Sequence, residues 1–147
     1  MPSNPPIANA VSAILVVENE VLVIERQPYL TAFPGYFAFP GGAVEKEDSS
    51  PTLTWPNVAD ASATALTALH RELLEELSWN LHDALSSNGN TTIVSLGNAN
   101  APAFAPRRFA TRYFRIDLAE KPEITADAGE IAGYEWVTAK TLLNEWQ

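Results

Sequence analysis

The sequence predicts an α/β sandwich on three observations: apolar runs rich in β-branched residues, one long segment of helical period, and an order of strands, loop, helix, strands and a closing helix. Val11 to Val17 is the first such run. The turn "ENE" separates it from Val21 to Arg26, so the two form a hairpin. Gln27 to Pro40 is rich in Pro, Gly and aromatics and reads as a loop leading to a short strand around Tyr36 to Phe39. The glycine pair Gly41 and Gly42 follows. Glu45 to Asp60 is polar, broken by Pro51 and Pro56 and without period, which marks an insertion. From Ala61 to about Leu81, Leu66, Leu69, Leu73, Leu77 and Leu81 recur at three- and four-residue steps, the spacing of one helix face, with Asp60 or Ser62 as cap. "SSNGNTT" is a turn before a strand from Thr92 to Gly97. A second strand runs from Phe109 to Leu118, and a third from Ile131 to Ala139 follows an acidic loop. Lys140 to Gln147 opens a helix that breaks off, as in a domain cut from a longer protein. There is no internal repeat.

The 147 residues suit one domain, expected over 1–147. With no cysteine in the chain, disulfides and thiolate metal sites are excluded, leaving carboxylates and the two histidines as ligands and oxygen-loving hard cations as the metals to expect. A net charge of −9 argues against nucleic acid as the main partner, although a small phosphorylated ligand is compatible if a cation bridges the two negative parties. No apolar run approaches the roughly 20 residues needed to cross a bilayer. The start "MPSNPPIANA" lacks a signal-peptide profile, so the expectation is cytoplasmic, without a membrane partner, and a homodimer is left open.

The stretch "ALHRELLEELSWNL", Ala68 to Leu81, crowds Arg71, Glu72, Glu75 and Glu76 onto a helix. At about 100° per residue the three glutamates share an arc roughly 100° wide, away from the leucine face. Either this is a solvated acidic face with Arg71 as counterion, or a divalent cation neutralises acids that otherwise repel. "FPGG", Phe39 to Gly42, sharpens the choice, because glycines after a strand permit close backbone approach to a ligand or helix.

With both features in one chain, the sequence resembles the Nudix hydrolase family. That signature is a glycine, five residues, a glutamate, seven residues, then Arg-Glu-apolar-x-Glu-Glu-x-Gly-apolar. Gly42 and "RELLEELSW" match its two ends, with about 15 extra residues between them and Ser78 in place of the late glycine. Counting forward from Gly42, the first glutamate falls on Asp48; counting back from Arg71, it falls on Ala63. Asp48, Glu45, Glu47 and Asp60 are the candidates to replace it. The resemblance implies a Nudix-type α/β/α sandwich with a mixed central sheet, Mg²⁺ or Mn²⁺ on Glu72, Glu75 and Glu76, and Arg71 orienting the glutamates. It also implies hydrolysis of a diphosphate bond in a nucleoside diphosphate derivative. Arg26, Gly35 and "FPGG" keep the spacing of the coenzyme A diphosphatase branch, with Thr31 where that branch has a second arginine. The insertion and "PRRFATRYF" are similar to its acyl-CoA members.

For the water's proton the candidates are Glu76 and Glu130, the latter also readable as a surface acid. Arg26, Arg108 and Arg112 are candidates for phosphate contact or simple strand-edge cations; Gly41 and Gly42 line the same expected site. Tyr29, Phe33, Tyr36 and Phe37 are placed either to stack on a base or to pack as a local lid or core. His70 and His82 lack a second ligand at metal spacing and read as structural. The rival reading is a Nudix-like domain that binds a nucleotide derivative as a sensor.

Overall fold

The structure, a computed structural model, describes residues 7–29, 37–50, 53–87, 89–100, 108–138 and 140–141. Among these, seven strands make one mixed sheet: β1 Ile7–Val17, β2 Glu20–Arg26, β3 Phe37–Ala38, β4 Gly41–Ala43, β5 Thr92–Asn100, β6 Arg108–Leu118 and β7 Ile131–Thr138. The expected α/β class and mixed sheet are what is found. β1 is the axis. It runs parallel to β6 from Ile7↔Arg108 to Val17↔Leu118, and β5 continues the sheet antiparallel to β6, with a register shift between Ser95 and Gly97.

On its other edge β1 pairs with β2 only beside the hairpin, at Val16↔Val21 and Val17↔Glu20. The turn residue Glu18 takes a left-handed φ of 55°, as a tight hairpin loop demands. Beyond that the two strands splay, and the chain segment carrying "FPGG" fills the wedge. β3 pairs with β2 at Ile24↔Ala38, and β4 pairs with β1 from Ala10↔Ala43 to Ser12↔Gly41. The motif follows the short strand β3, as expected, and its two glycines open a further short strand, β4. β7 borders the free side of β2.

Helix α1, Ala63–Leu77, packs its leucines on the sheet. Leu69, Leu73 and Leu77 are fully buried with Val11, Ala13 and Leu15 of β1, Leu22 and Ile24 of β2, and Phe114 and Ile116 of β6. Each such side chain contributes roughly 1.5–3 kcal/mol over its exposed state. Of the two caps expected, Ser62 is the one used, its hydroxyl accepting from Ala65 N–H at 3.1 Å.

The helix ends earlier than its leucine spacing predicts. Ser78 adopts φ 56°, ψ 32°, and the N–H groups of Ser78 and Trp79 return to Leu74 and Leu73 at 3.0 and 3.3 Å, an αL stop. Asn80 then caps a separate helix α2, Leu81–Ser86, by accepting from Asp83 N–H at 2.8 Å. Leu81 keeps the leucine face buried across the break, which is why the period reads through it. The closing helix expected over 140–147 lies outside the described residues beyond Thr141. No described helix is long and apolar enough to cross a membrane.

Candidate functional site

The two glycines of "FPGG" have different jobs. Ser12 Oγ and Ala13 N–H donate to the Pro40 carbonyl at 3.4 and 2.8 Å, hooking the turn to β1. At Gly41, φ +155°, a Cβ would lie 2.1 Å from the Val11 carbonyl oxygen, so a side chain there would keep β4 off β1. At Gly42 a Cβ would instead meet the Glu72 carboxyl, 2.5 Å from Cδ and 2.6 and 2.7 Å from its oxygens. Gly41 serves the sheet, and Gly42 makes room for an acid of the helix.

Arg71 is the hub of that helix. Its Nε and Nη2 donate to the two oxygens of Asp48 at 3.1 and 3.0 Å, a two-pronged ion pair. Nη2 also donates to the Ala43 carbonyl at 2.9 Å. Nη1 donates to Glu72 at 2.8 Å and Glu75 at 3.4 Å, with Glu45 at 3.6 Å. These anions hold the guanidinium well above its usual range, with Asp48 the largest cause.

Of the four acids named as replacements for the missing glutamate, Asp48 is the one Arg71 grips by both prongs. It rides on a 3-10 turn, Lys46–Ser49, accepts from Glu45 N–H at 2.8 Å, and is only 2 % exposed. Burial pushes its carboxyl up, but the Arg71 and Glu45 hydrogen bonds outweigh that and hold it below the usual carboxylate range. The forward count from Gly42 lands on this buried, Arg71-paired residue, whereas the backward count lands on Ala63, the first residue of α1.

The three helix glutamates occupy graded environments. Glu75 is on the rim, its side chain 58 % exposed. Glu72 is buried; burial raises its pKa and the Arg71 ion pair works against that rise. Glu76 is 1 % exposed, and neither of its oxygens has a hydrogen-bond donor. Burial, then the Glu72 carboxylate one turn away, push Glu76 up to about 9, with the Glu130 charge adding and Arg26 opposing. Glu72 and Glu76 can share a hydrogen bond only while one of them keeps a proton. Among the described residues no three His, Asp or Glu side chains are drawn together into a finished metal cage. A buried acid without a donor is nonetheless an unmet demand for a cation, so this donor set fits a hard divalent ion.

The charges of Glu130 and Arg26 are both felt at Glu76. Glu130 closes the turn 127–130, which hangs from the end of α1: Asp127 N–H donates to the Glu76 carbonyl at 2.9 Å and Thr125 N–H to that of Leu77 at 3.0 Å. Arg112 is elsewhere. It donates to Ser95 Oγ at 2.7 Å and lines, with Asn9, Val44, Ser62 and Asn98, a cavity of about 210 Å³ beside the start of α1. No hydrogen bond or ion pair among the described residues joins it to the helix acids. For Arg108 the description extends to its backbone pairing with Ile7. Phe33 and Tyr36 lie outside the described residues, and Phe37 enters through its pairing with Glu25. Tyr29 holds the carbonyl of Gly129 rather than an apolar lid.

The histidines fit their structural reading. Trp55 meets His70 and His82 edge-on at 5.5 and 5.0 Å, and His70 Nδ1 accepts from His82 N–H at 3.3 Å. Burial, then the neighbouring His82, lower the His70 pKa. Trp55 Nε1–H also donates to Thr67 at 3.0 Å, and Val58 enters the core. The stretch between glycine turn and helix is therefore fastened to α1, a role that polar composition and two prolines did not signal.

Comparison with known proteins bears on the family and the fold. Residues 6–147 match the model of the NUDIX domain family. A Caenorhabditis elegans protein assigned as nudix hydrolase 7 is 23 % identical over 158 residues, an alignment covering 93 % of this chain and 53 % of that protein. The chain thus spans about half the length of the curated relative it matches. Among solved structures, a NUDIX hydrolase from Alicyclobacillus acidocaldarius superposes with a TM-score of 0.77 at 22 % identity, covering 97 % of this chain and 84 % of that one. The NUDIX domain of Shewanella oneidensis NrtR, solved with ADP ribose, superposes at 0.65 with 14 % identity and coverage of 95 % and 78 %. At these identities the structures show a shared fold.

Proposed function

The chain belongs to the NUDIX family, and from that premise we propose that it hydrolyses the diphosphate bond of a nucleoside diphosphate derivative, with Mg²⁺ or Mn²⁺ held by Glu72, Glu75 and Glu76. The observation that carries the reading is the pair of donorless oxygens on buried Glu76, one turn from a Glu72 whose space Gly42 provides. An isolated carboxyl is expensive to bury, and its retention is understood if a ligand completes it.

When bound, the cation neutralises the diphosphate and makes a water nucleophilic near neutral pH. The protein's part is positioning and charge. Arg71, locked on Asp48 and the Ala43 carbonyl, fixes the Glu72 carboxylate by one hydrogen bond. Glu75, exposed on the rim, would be the most solvent-accessible of the three ligands. Arg26 supplies positive charge to the phosphates, and Glu130 accepts the proton of the attacking water. For the substrate we favour coenzyme A or an acyl-CoA, because Arg26, Gly35 and "FPGG" keep the spacing of that branch. The rival is a sensor that binds a nucleotide derivative without turnover; the similar NrtR domain was solved with ADP ribose bound. The two-pronged Asp48–Arg71 pair, which leaves Arg71 free to orient Glu72, favours the enzyme.

The test is a turnover panel of CoA, acyl-CoA, ADP-ribose, NADH and dinucleoside polyphosphates with Mg²⁺ or Mn²⁺. Metal-dependent release of a monophosphate product is expected, and Glu76→Gln should reduce it by orders of magnitude with the fold intact. Near-full activity of Glu76→Gln would sink the metal assignment, and ligand binding with no hydrolysis anywhere would favour the sensor.

A further inference from the structure

Four successive carbonyls of the turn that carries Glu130 are held by two side chains and one amide from the end of β2. Gln27 N–H donates to the Glu130 carbonyl at 2.9 Å. The Gln27 amide Nε2 donates to the carbonyls of Ala128 at 3.0 Å and Ile131 at 3.4 Å. Tyr29 Oη–H donates to the Gly129 carbonyl. These contacts join residues about a hundred positions apart, and they sit where the β2–β7 ladder shifts register, between Glu25 and Arg26. A register shift frees backbone carbonyls from regular pairing and re-aims the side chains beside it.

The turn is braced on its other side as well, through Asp127 N–H on the Glu76 carbonyl, and internally by Glu130 and Ile131 N–H on the Asp127 carbonyl at 3.1 and 2.8 Å. So Glu130 is fixed between the helix bearing the acids and the end of β2. An exposed turn held only by its own backbone would move on the timescale of loops. Here an amide and a phenol take up the carbonyl dipoles that a loose turn would give to water.

We propose that Gln27 and Tyr29 are positioning residues that clasp the 128–131 turn and hold the Glu130 carboxylate at its working distance from Glu76. The proposal rests on the reading of Glu130 as the proton acceptor, and it concerns how that group is kept in place. A misplacement of about 1 Å in a reacting group lowers turnover on the order of 100-fold, so partial loosening predicts a smaller loss.

The experiment is a cycle of Gln27→Ala and Glu130→Gln, alone and together, in the full chain, with kcat and KM measured for whichever panel substrate turns over. Hydrogen exchange of residues 127–131 is followed in parallel. The expected result is a kcat about 10-fold lower in Gln27→Ala, KM within about 2-fold, no further loss when the change is added to Glu130→Gln, and faster exchange confined to the turn. Tyr29→Phe should show the same pattern more weakly. Equal losses in both backgrounds, or unchanged exchange, would overturn the clasp. Full activity of Glu130→Gln would overturn the catalytic half of the proposal while leaving metal-dependent hydrolysis standing. If no substrate turns over, the exchange measurement alone decides whether the clasp exists.

Discussion

Gly42→Ala isolates the site from the fold. The new Cβ would lie 2.5 Å from Glu72 Cδ, whereas carbon atoms in contact rest about 3.5–4.0 Å apart, so the carboxylate must retreat by roughly 1 Å or more. The obstacle is the end of a flexible side chain, which can swing away. In doing so it gives up its 2.8 Å hydrogen bond from Arg71, while Arg71 keeps Asp48 and the Ala43 carbonyl. The loss in stability should stay near 1 kcal/mol, about 2–4 °C in Tm for a domain of this size. The site should suffer far more if Glu72 holds the metal as proposed, since displacing such a carboxylate by about 1 Å predicts a turnover loss on the order of 100-fold. Two measurements check this: metal-dependent hydrolysis, and the rise in Tm on adding Mg²⁺ or Mn²⁺, which mass action requires of a filled site. Gly41→Ala is the control. Its Cβ meets the Val11 carbonyl at 2.1 Å and Ser12 Cα at 2.7 Å, both backbone, so it should cost more than about 3 kcal/mol and lower Tm sharply. A Gly42→Ala protein with unchanged activity and metal response, or one as unfolded as Gly41→Ala, would refute the division of labour.

Ser78→Gly should stabilise the protein by about 0.5–1 kcal/mol in a denaturant titration, because glycine takes the φ of 56° without the Cβ clash of a left-handed residue. Glu76→Gln should raise the metal-free Tm while abolishing its response to metal, since a buried carboxyl without a donor is replaced by a neutral amide. Asp48 gives a pH dependence of definite sign. Its folded pKa lies below the ordinary value of 3.8, so the unfolded chain binds the proton more readily. Its stability is therefore fully present above about pH 4–5 and is lost as pH falls through the folded pKa. Asp48→Asn should flatten that acid limb in a Tm-against-pH series. Leu73→Ala should cost about 2–5 kcal/mol by chemical denaturation, as expected for a fully buried leucine.

The sequence by itself determined the longer strands and the acid-bearing helix, because both are written in local period and spacing. Leucines at three- and four-residue steps make a buried face in any α/β packing, and "RELLEEL" puts its acids off that face wherever the helix lies. Its reach ended where a residue's role depends on what the chain returns to touch. Leu81 continued the leucine face although the helix had stopped, since period reports burial and not backbone continuity. Asp48 stood among four acids of similar chemistry until the grip of Arg71 singled it out. The stretch between the glycine turn and the helix looked polar and loose, yet Trp55 and Val58 pin it to the helix and core. Three glutamates equivalent on a wheel became a rim acid, a paired acid and a donorless buried one, because burial and the Arg71 hydrogen bonds differ from turn to turn. Only the tertiary structure could decide these points: desolvation and ion pairing depend on distances between segments far apart in sequence, which no local pattern encodes.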